Sequence, residues 1–285
     1  MDNSPFAAIG PARFDAYAAT IPHHPRDVLE AFEGFSPGSS IVNLERPRQG
    51  YAFGATVADD DGQLGVIQWG GAHPHPHASF QGHCSHQAAL LLRECFPDHS
   101  VARCDPVVLD TCQPGAYDVL QAACVALADE LDLAVNCAGD HLVKLEGRTV
   151  YLGSPSSHVR ARLYDKAAER RAKLRDPAKL AELPQHWARL ELQIRPKGAS
   201  AKRAAAVASP EQLIGASRWS QRLALEVAGL DVPRFDASPT WRESDHDRAY
   251  HAMLKQYRSV LYQVLADAGS PECFGLQLVH DLAQL

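Results

Sequence analysis

An α+β fold, built on a mostly antiparallel central sheet with helices packed on one face, is what this sequence predicts. Three observations carry the prediction. Short runs of β-type residues, separated by turn-forming stretches such as DDDG and HPHP, fill residues 41–82 and recur up to about residue 196. Helical runs fall between them without the strict strand–helix alternation of a parallel sheet. After about residue 198 the strands stop and only helical periodicity remains. The organisation expected is an N-terminal loop-rich segment (1–40), a sheet domain (41–197) and a helical C-terminal region (198–285).

In chain order, PRDVLEAFEGF gives one helix within the loop-rich segment. IVNLER, GYAFGATVA, GQLGVIQWGG and HASFQG read as strands, and HQAALLLRECF as a helix with apolar residues at helical spacing. SVARCDPVVLD is the next strand and AYDVLQAACVALADEL the next helix. LVKLEG and RTVYLGS predict a hairpin, and HVRARLYDK another strand. AAERRAKLRDPAKLAEL is a basic helix leading into the strand HWARLELQIRP. EQLIGASRWSQRLALEVAGL, DHDRAYHAMLKQYRSVLYQVLADAG and PECFGLQLVHDLAQL close the chain as helices.

Hydrophobic residues make up 46% and charged residues 22%, as in an ordinary globular chain, and no apolar run reaches a membrane span. The N-terminus MDNSPFAAIGPARFD has no basic start followed by an apolar stretch, so no secretion signal is expected. Seven cysteines with no C-x-x-C pair predict reduced thiols and a cytoplasmic setting rather than a disulfide framework or zinc ribbon. The net charge of −6 argues against a nucleic-acid partner until its distribution is read. Residues 158–203 hold 13 Lys/Arg and 5 Asp/Glu, a surplus of +8 that leaves −14 on the rest. Such a stretch attracts phosphates locally; its ordinary alternative is a solvated Lys/Arg-rich helix.

Side chains alternate across a strand. In HVRARLYDK, Arg160, Arg162, Tyr164 and Lys166 share one face, opposite Val159, Ala161 and Leu163. In HWARLELQIRP, Trp187, Arg189, Glu191, Gln193 and Arg195 share one face, opposite Ala188, Leu190, Leu192 and Ile194. In SVARCDPVVLD, Arg103 and Asp105 share a face, and Asp110 joins them only if the chain bulges, for which Pro106 offers a place. The ordinary reading of such a surface is a charged sheet face with surface ion pairs and a packing tyrosine.

These residues carry a resemblance. The run Tyr151-x-Gly153, then Ser157, then Arg162-x-Tyr164-x-Lys166 with Glu169 three further on, resembles the Rep_trans or replication initiation factor family, the rolling-circle replication initiators of plasmids and filamentous phages with related relaxases. Trp187, Arg189 and Glu191 match the family's aromatic-then-R-x-E strand. Arg103 and Asp105 match its R-x-D-x-x-x-D strand, with Asp110 one residue late. GVIQWGG and ASFQGHCSH look like its paired strands before the first helix. The likeness spans about residues 50–200. ELDLAVN, with Asp132 and Asn136, is a rival placement for the aspartate strand.

The resemblance implies nicking of one strand at a replication origin. Tyr164 is the nucleophile, forming a 5′-phosphotyrosyl link and freeing a 3′ hydroxyl, with Tyr151 as its backup. Arg162 and Lys166 assist by favouring the phenolate or holding phosphate oxygens. A divalent metal, Mg or Mn, is expected on Asp105, Asp110 and Glu191. Arg160, Arg189 and Arg195 are the expected DNA-binding residues. The partners implied are origin DNA, supercoiled or single-stranded, with a host helicase and a second copy of the chain, and no membrane; the C-terminal helices would serve origin recognition or self-association. An origin-binding regulator without nicking activity is the alternative.

Five histidines, His73, His75, His77, His83 and His86, cluster in GAHPHPHASFQGHCSH. A His-hydrophobic-His metal pair is one reading; the prolines between them favour a polar loop. A tyrosine recombinase fits less well, because it needs a helical catalytic domain with its tyrosine near the C-terminus. No G-x-S-x-G elbow supports a hydrolase, and no G-x-x-x-x-G-K-[ST] loop is present.

Overall fold

The computed structural model describes residues 12–60, 62–235 and 252–284. Its strands are β1 (Phe14–Thr20), β2 (Ser40–Asn43), β3 (Phe53–Asp59), β4 (Gly62–Trp69), β5 (His77–Gln81), β6 (Ser100–Thr111), β7 (Val135–Ala138), β8 (Thr149–Leu152), β9 (Val159–Asp165) and β10 (Ala188–Ile194). They form one sheet in the order β2-β3-β4-β5-β1-β6-β10-β9-β8-β7. Every neighbouring pair is antiparallel. The α+β class with an antiparallel sheet is therefore the fold observed.

The helices of the sheet unit are α1 (Pro25–Ala31), α2 (Ser85–Cys95), α3 (Ala116–Glu130), α4 (Lys166–Lys173), α5 (Pro177–Glu182), α6 (Ala199–Val207), α7 (Pro210–Ile214) and α8 (Arg218–Ala228). The apolar sides of the strands meet helices in one continuous core. Val159, Ala161 and Leu163 of β9 and Leu190, Leu192 and Ile194 of β10 lie in it with Leu92, Leu120, Cys124, Leu213 and Leu223 from the helices. α2 lies on β1, α6 and α7 on β6, and α3 on β8 and β9. The other side of the central strands is left to polar side chains, as an antiparallel sheet allows.

Several boundaries differ from those read in the sequence. The first 40 residues are not a loop-rich segment apart: β1 lies in the middle of the sheet, between β5 and β6. Its Phe14, Tyr17 and Ala19 are core residues whose spacing hides the strand, because a register shift interrupts the alternation. Nor does the fold divide near residue 198. Helices α6 to α8 pack on β6, and the chain forms two compact units, 1–238 and 239–285. The basic helix breaks in two because Pro177 starts a new helix capped by the Asp176 carboxylate. The stretch 211–230 likewise splits at Gly215, into α7 and α8.

LVKLEG is not a strand. The Asp140 carboxylate accepts hydrogen bonds from the backbone N–H groups of Leu142, Val143 and Lys144, which holds that stretch as a loop. β8 pairs instead with β7, drawn from the end of ELDLAVN. The second unit contains α9 (Arg258–Ala268) and α10 (Pro271–Leu282), which pack on each other, with Ser270 capping the latter. The first part of the helix expected over 245–269, residues 245–251, lies outside those described.

One close approach makes the sheet sensitive to a single methyl group. A Cβ on Gly65 would lie inside contact distance of the Phe80 ring. That ring is fully buried, stacked on Phe32 at 4.7 Å and tilted against Phe35 at 5.3 Å, so it has nowhere to go. Gly65→Ala is expected to destabilise the protein by about 1–3 kcal/mol through overpacking, read as a lowered urea midpoint.

Candidate active site

Four central strands, β1, β6, β10 and β9, build the polar face. On β9 the period-two pattern puts Arg160, Arg162 and Tyr164 on one side, as their buried neighbours Val159, Ala161 and Leu163 enter the core. On β10 Arg189, Glu191 and Gln193 do the same. The cross-strand pairs are Tyr164 with Arg189, Arg162 with Glu191, and Arg160 with Gln193. Lys166 follows β9 as the first residue of α4, and its ammonium still reaches back over the sheet to Asp15, at 3.5 Å.

Two irregularities in pairing complete the face. β6 carries an extra residue after Pro106, where the register against β10 shifts between Leu190 and Glu191. Val108 and Leu109 therefore both enter the core, and Asp110 returns to the polar side opposite Arg189. The bulge that Asp110 required is present. The second irregularity lies in β1, between Phe14 and Ala16, and turns the Asp15 carboxylate out of the core. Asp15 escaped the sequence reading because its strand did; the signal available was an acidic residue inside the apolar run FDAYAAT.

The side chains form a nearly dry ionic network. The Arg189 guanidinium lies between Asp15 and Asp110, donating to both. Asp110 also accepts from Arg13 and from the Trp187 indole N–H. Arg103 grips Asp105, its Nε donating at 2.8 Å. Arg162 pairs with Glu191 at 3.0 Å. The Tyr164 hydroxyl lies 3.1 Å from Asp15 Oδ2 and 3.3 Å from Glu191 Oε2. The Arg162 guanidinium carbon sits 3.9 Å above the Tyr164 ring. Asp105, Asp110, Arg189 and Glu191 are all buried.

This burial reverses the expected tuning of the tyrosine. Tyr164 is only 3% exposed, not a phenol projecting into solvent. Burial, with Glu191 and Asp15 beside the hydroxyl, pushes its pKa far above that of a free phenol; Arg189 and Arg162 only partly oppose this. The phenol is neutral at rest. Burial also pushes Glu191 well above the usual carboxylate range, helped by the negative charge of Asp15. Asp15 goes the other way. Burial raises it, but Lys166, Arg189 and a hydrogen bond from Glu191 overcome that and hold it at about 2. Of the two acids, Glu191 is therefore the one that takes up a proton more readily, and Asp15 the one that stays ionised.

Two other assignments change. Arg189 cannot grip a DNA backbone, because it is buried and its guanidinium is committed to Asp15 and Asp110. Asp105, Asp110 and Glu191 do not converge as metal ligands: Asp110 is held by Arg13, Arg189 and Trp187, and Asp105 by Arg103. Among the described residues no three His, Cys, Asp or Glu side chains stand together as ligands would. The carboxylates of this face are neutralised by guanidinium groups and Lys166, and they do not fit a divalent ion as arranged.

The remaining candidates fall outside the network. Asp132 and Asn136 are exposed, in a turn and on the edge strand β7. His73 stacks on Tyr51 at 4.2 Å and bonds the Gln49 carbonyl, within the β4–β5 turn. Tyr151, half-buried on β8, lies opposite Arg162 with the Arg160 guanidinium 3.9 Å over its ring.

Compared with known proteins, the chain matches no family model and no curated protein. Its structure is similar to that of a rolling-circle replication initiator protein from Geobacillus stearothermophilus. The two share 15% identity over 80% of this chain and 98% of that one, with a TM-score of 0.48. A likeness of that size says nothing about chemistry, which rests on the side chains themselves. Among the described residues no helix is long and apolar enough to cross a membrane.

The two carboxylates shape stability in opposite directions. Glu191 has a raised folded pKa, so its contribution is complete below the ordinary carboxylate range and is lost as pH climbs through the raised value. Asp15 has a lowered one, so its contribution is complete above about 3.9 and is lost as pH falls toward 2. Glu191→Gln is expected to flatten the decline in stability on the alkaline side. Asp15→Asn takes one of two acid partners from Arg189 and from Lys166 and should cost about 1–3 kcal/mol at neutral pH. Urea midpoints from pH 3 to 9 measure both.

Proposed function

We propose that this protein is a DNA strand transferase of the rolling-circle initiator type, which nicks one strand of an origin through Tyr164. The observation that carries this reading is the placement of the Tyr164 hydroxyl within 3.3 Å of both Asp15 and Glu191, under the Arg162 guanidinium. A nucleophile beside a proton acceptor and beneath a cation is the constellation that transfer to a phenol requires. The motif Arg162-x-Tyr164-x-Lys166 supports the same assignment.

In this mechanism the phenolic oxygen attacks the scissile phosphorus and the bond from phosphorus to the 3′ oxygen breaks. Asp15 accepts the phenolic proton, and the 3′ oxygen leaves as a hydroxyl after taking a proton from solvent. The product is a 5′-phosphotyrosyl end and a free 3′ hydroxyl. Arg162 and Lys166 offset charge as it builds on the phosphate. Because the phenol starts neutral and buried, the entering strand must draw Lys166 and Arg162 toward its phosphates, which makes Asp15 a better acceptor while the hydroxyl stays on it, so the step is coupled to opening of the polar face. The sheet unit's basic stretch would hold the DNA, with further partners, a helicase or a second copy, joining at the origin.

One observation favours a second reading. A tyrosine 3% exposed, with both carboxylates against its hydroxyl, suits an origin-binding regulator that never cleaves. The two readings separate on supercoiled DNA that carries the region around the protein's own coding sequence, in buffer with Mg²⁺ or Mn²⁺. Nicking yields open circles with protein covalently on the 5′ ends. Tyr164→Phe should abolish attachment while holding DNA affinity within about twofold, because the ring stays in place; Tyr151→Phe should retain it. A mobility shift without open circles identifies the regulator, and loss with Tyr151→Phe alone would move the nucleophile to that residue.

A further inference from the structure

Asp15 stands where its strand is irregular. In β1, Phe14 pairs with Pro106 and Ala16 with Asp105, so Asp15 is the extra residue of a bulge. On the other edge of β1, Ala16 pairs with Gln81, the last residue of β5. A bulged residue is left out of the ladder, and its backbone groups must find partners elsewhere. The Asp15 carbonyl finds two. It accepts from the Gly82 backbone N–H at 2.7 Å and from the Ser85 hydroxyl at 3.1 Å.

Ser85 is not placed there to serve its own helix. It is the first residue of α2 and is fully buried. Serine at a helix start usually acts as the cap. Here Cys84 holds the cap position and makes no side-chain cap bond, while the Ser85 hydroxyl turns to β1 instead. The corner between β5 and α2 permits this reach. Gly82 has a φ of 81°, in the left-handed region that favours glycine, and its carbonyl accepts from the Ser85 N–H at 3.1 Å.

The main chain of Asp15 is thus held from the β5–α2 corner, while its carboxylate meets the polar network. Arg189 and Glu191 from β10, Arg162 and Tyr164 from β9, Lys166 from the start of α4 and Asp105 from β6 all act on it. We propose that Ser85 is a positioning residue: with the Gly82 N–H it clamps the β1 bulge so that the Asp15 carboxylate meets the Tyr164 hydroxyl. The catalytic consequence rests on the nicking reading, in which Asp15 takes the phenolic proton; the clamp itself does not.

Ser85→Ala removes the hydroxyl and leaves the Gly82 bond. One measurement needs no nicking: urea midpoints at pH 7 for Ser85→Ala in the wild-type and in the Asp15→Asn backgrounds. The lost bond to the carbonyl is the same in both. A displaced carboxylate is felt only in the first, so the midpoint should fall there about twice as far. Equal falls would reduce the hydroxyl to an ordinary structural bond and overturn the proposal. On supercoiled DNA, the maximal rate of covalent attachment should fall about tenfold, with the half-saturating DNA concentration within about twofold, since a reacting group is displaced and no binding group is lost. The acid limb of that rate should move to higher pH, because a carboxylate shifted from Lys166 and Arg189 loses part of what keeps it ionised. Ser85→Cys, which keeps a weak donor, should fall between, and it carries both measurements if Ser85→Ala does not fold. Ser217→Ala, which removes the cap of α8, should lower the midpoint with the attachment rate and its acid limb unchanged. A wild-type protein that never nicks DNA would sink the nicking reading and leave the clamp to the urea midpoints. Attachment by Ser85→Ala at the wild-type rate and pH profile would sink the clamp alone.

Discussion

Charge neutralisation on a water-poor sheet face is the constraint on which the rest of this structure depends. Asp15, Asp105, Asp110 and Glu191 are all nearly inaccessible, and ions so placed are tolerable only when paired. Arg189 is the keystone, because it spans from Asp15 on β1 to Asp110 on β6 while standing on β10. Both bulges serve this arrangement. Without the extra residue in β6, Asp110 would point into the core, and without the shift in β1, so would Asp15.

That constraint also sets the state of the tyrosine. Burial and the two carboxylates beside the hydroxyl hold the phenol neutral. The positive groups nearest Tyr164 are spent on acids: Arg162 on Glu191, Arg189 on Asp15, and Lys166 on Asp15 and Glu169. A site of this kind is stable and closed at rest. On the nicking reading, an incoming anion would compete for those cations and leave Asp15 a better proton acceptor for the hydroxyl.

The face is graded rather than uniform. At the Asp110 end Arg13 and Arg189 both pair with Asp110; at the other end Asp105 pairs with Arg103, and Arg160 Nε and Arg195 Nη1 have no acceptor among the described residues.

The polar and apolar sides of β9 and β10 were legible in the sequence because alternation is a local property of the backbone, and Leu163, Tyr164, Leu190 and Glu191 fall as the period dictates. The antiparallel α+β class followed from the same local signals. What the chain alone did not reveal is who stands beside whom across long separations. Asp15 meets Arg189 over 174 residues, and nothing near either residue announces the other. The depth of Tyr164 and the commitment of Arg189 were likewise decided by tertiary structure. Period-two patterning says which way a side chain points, while solvent access and ionic partners depend on how ten strands are ordered into one sheet.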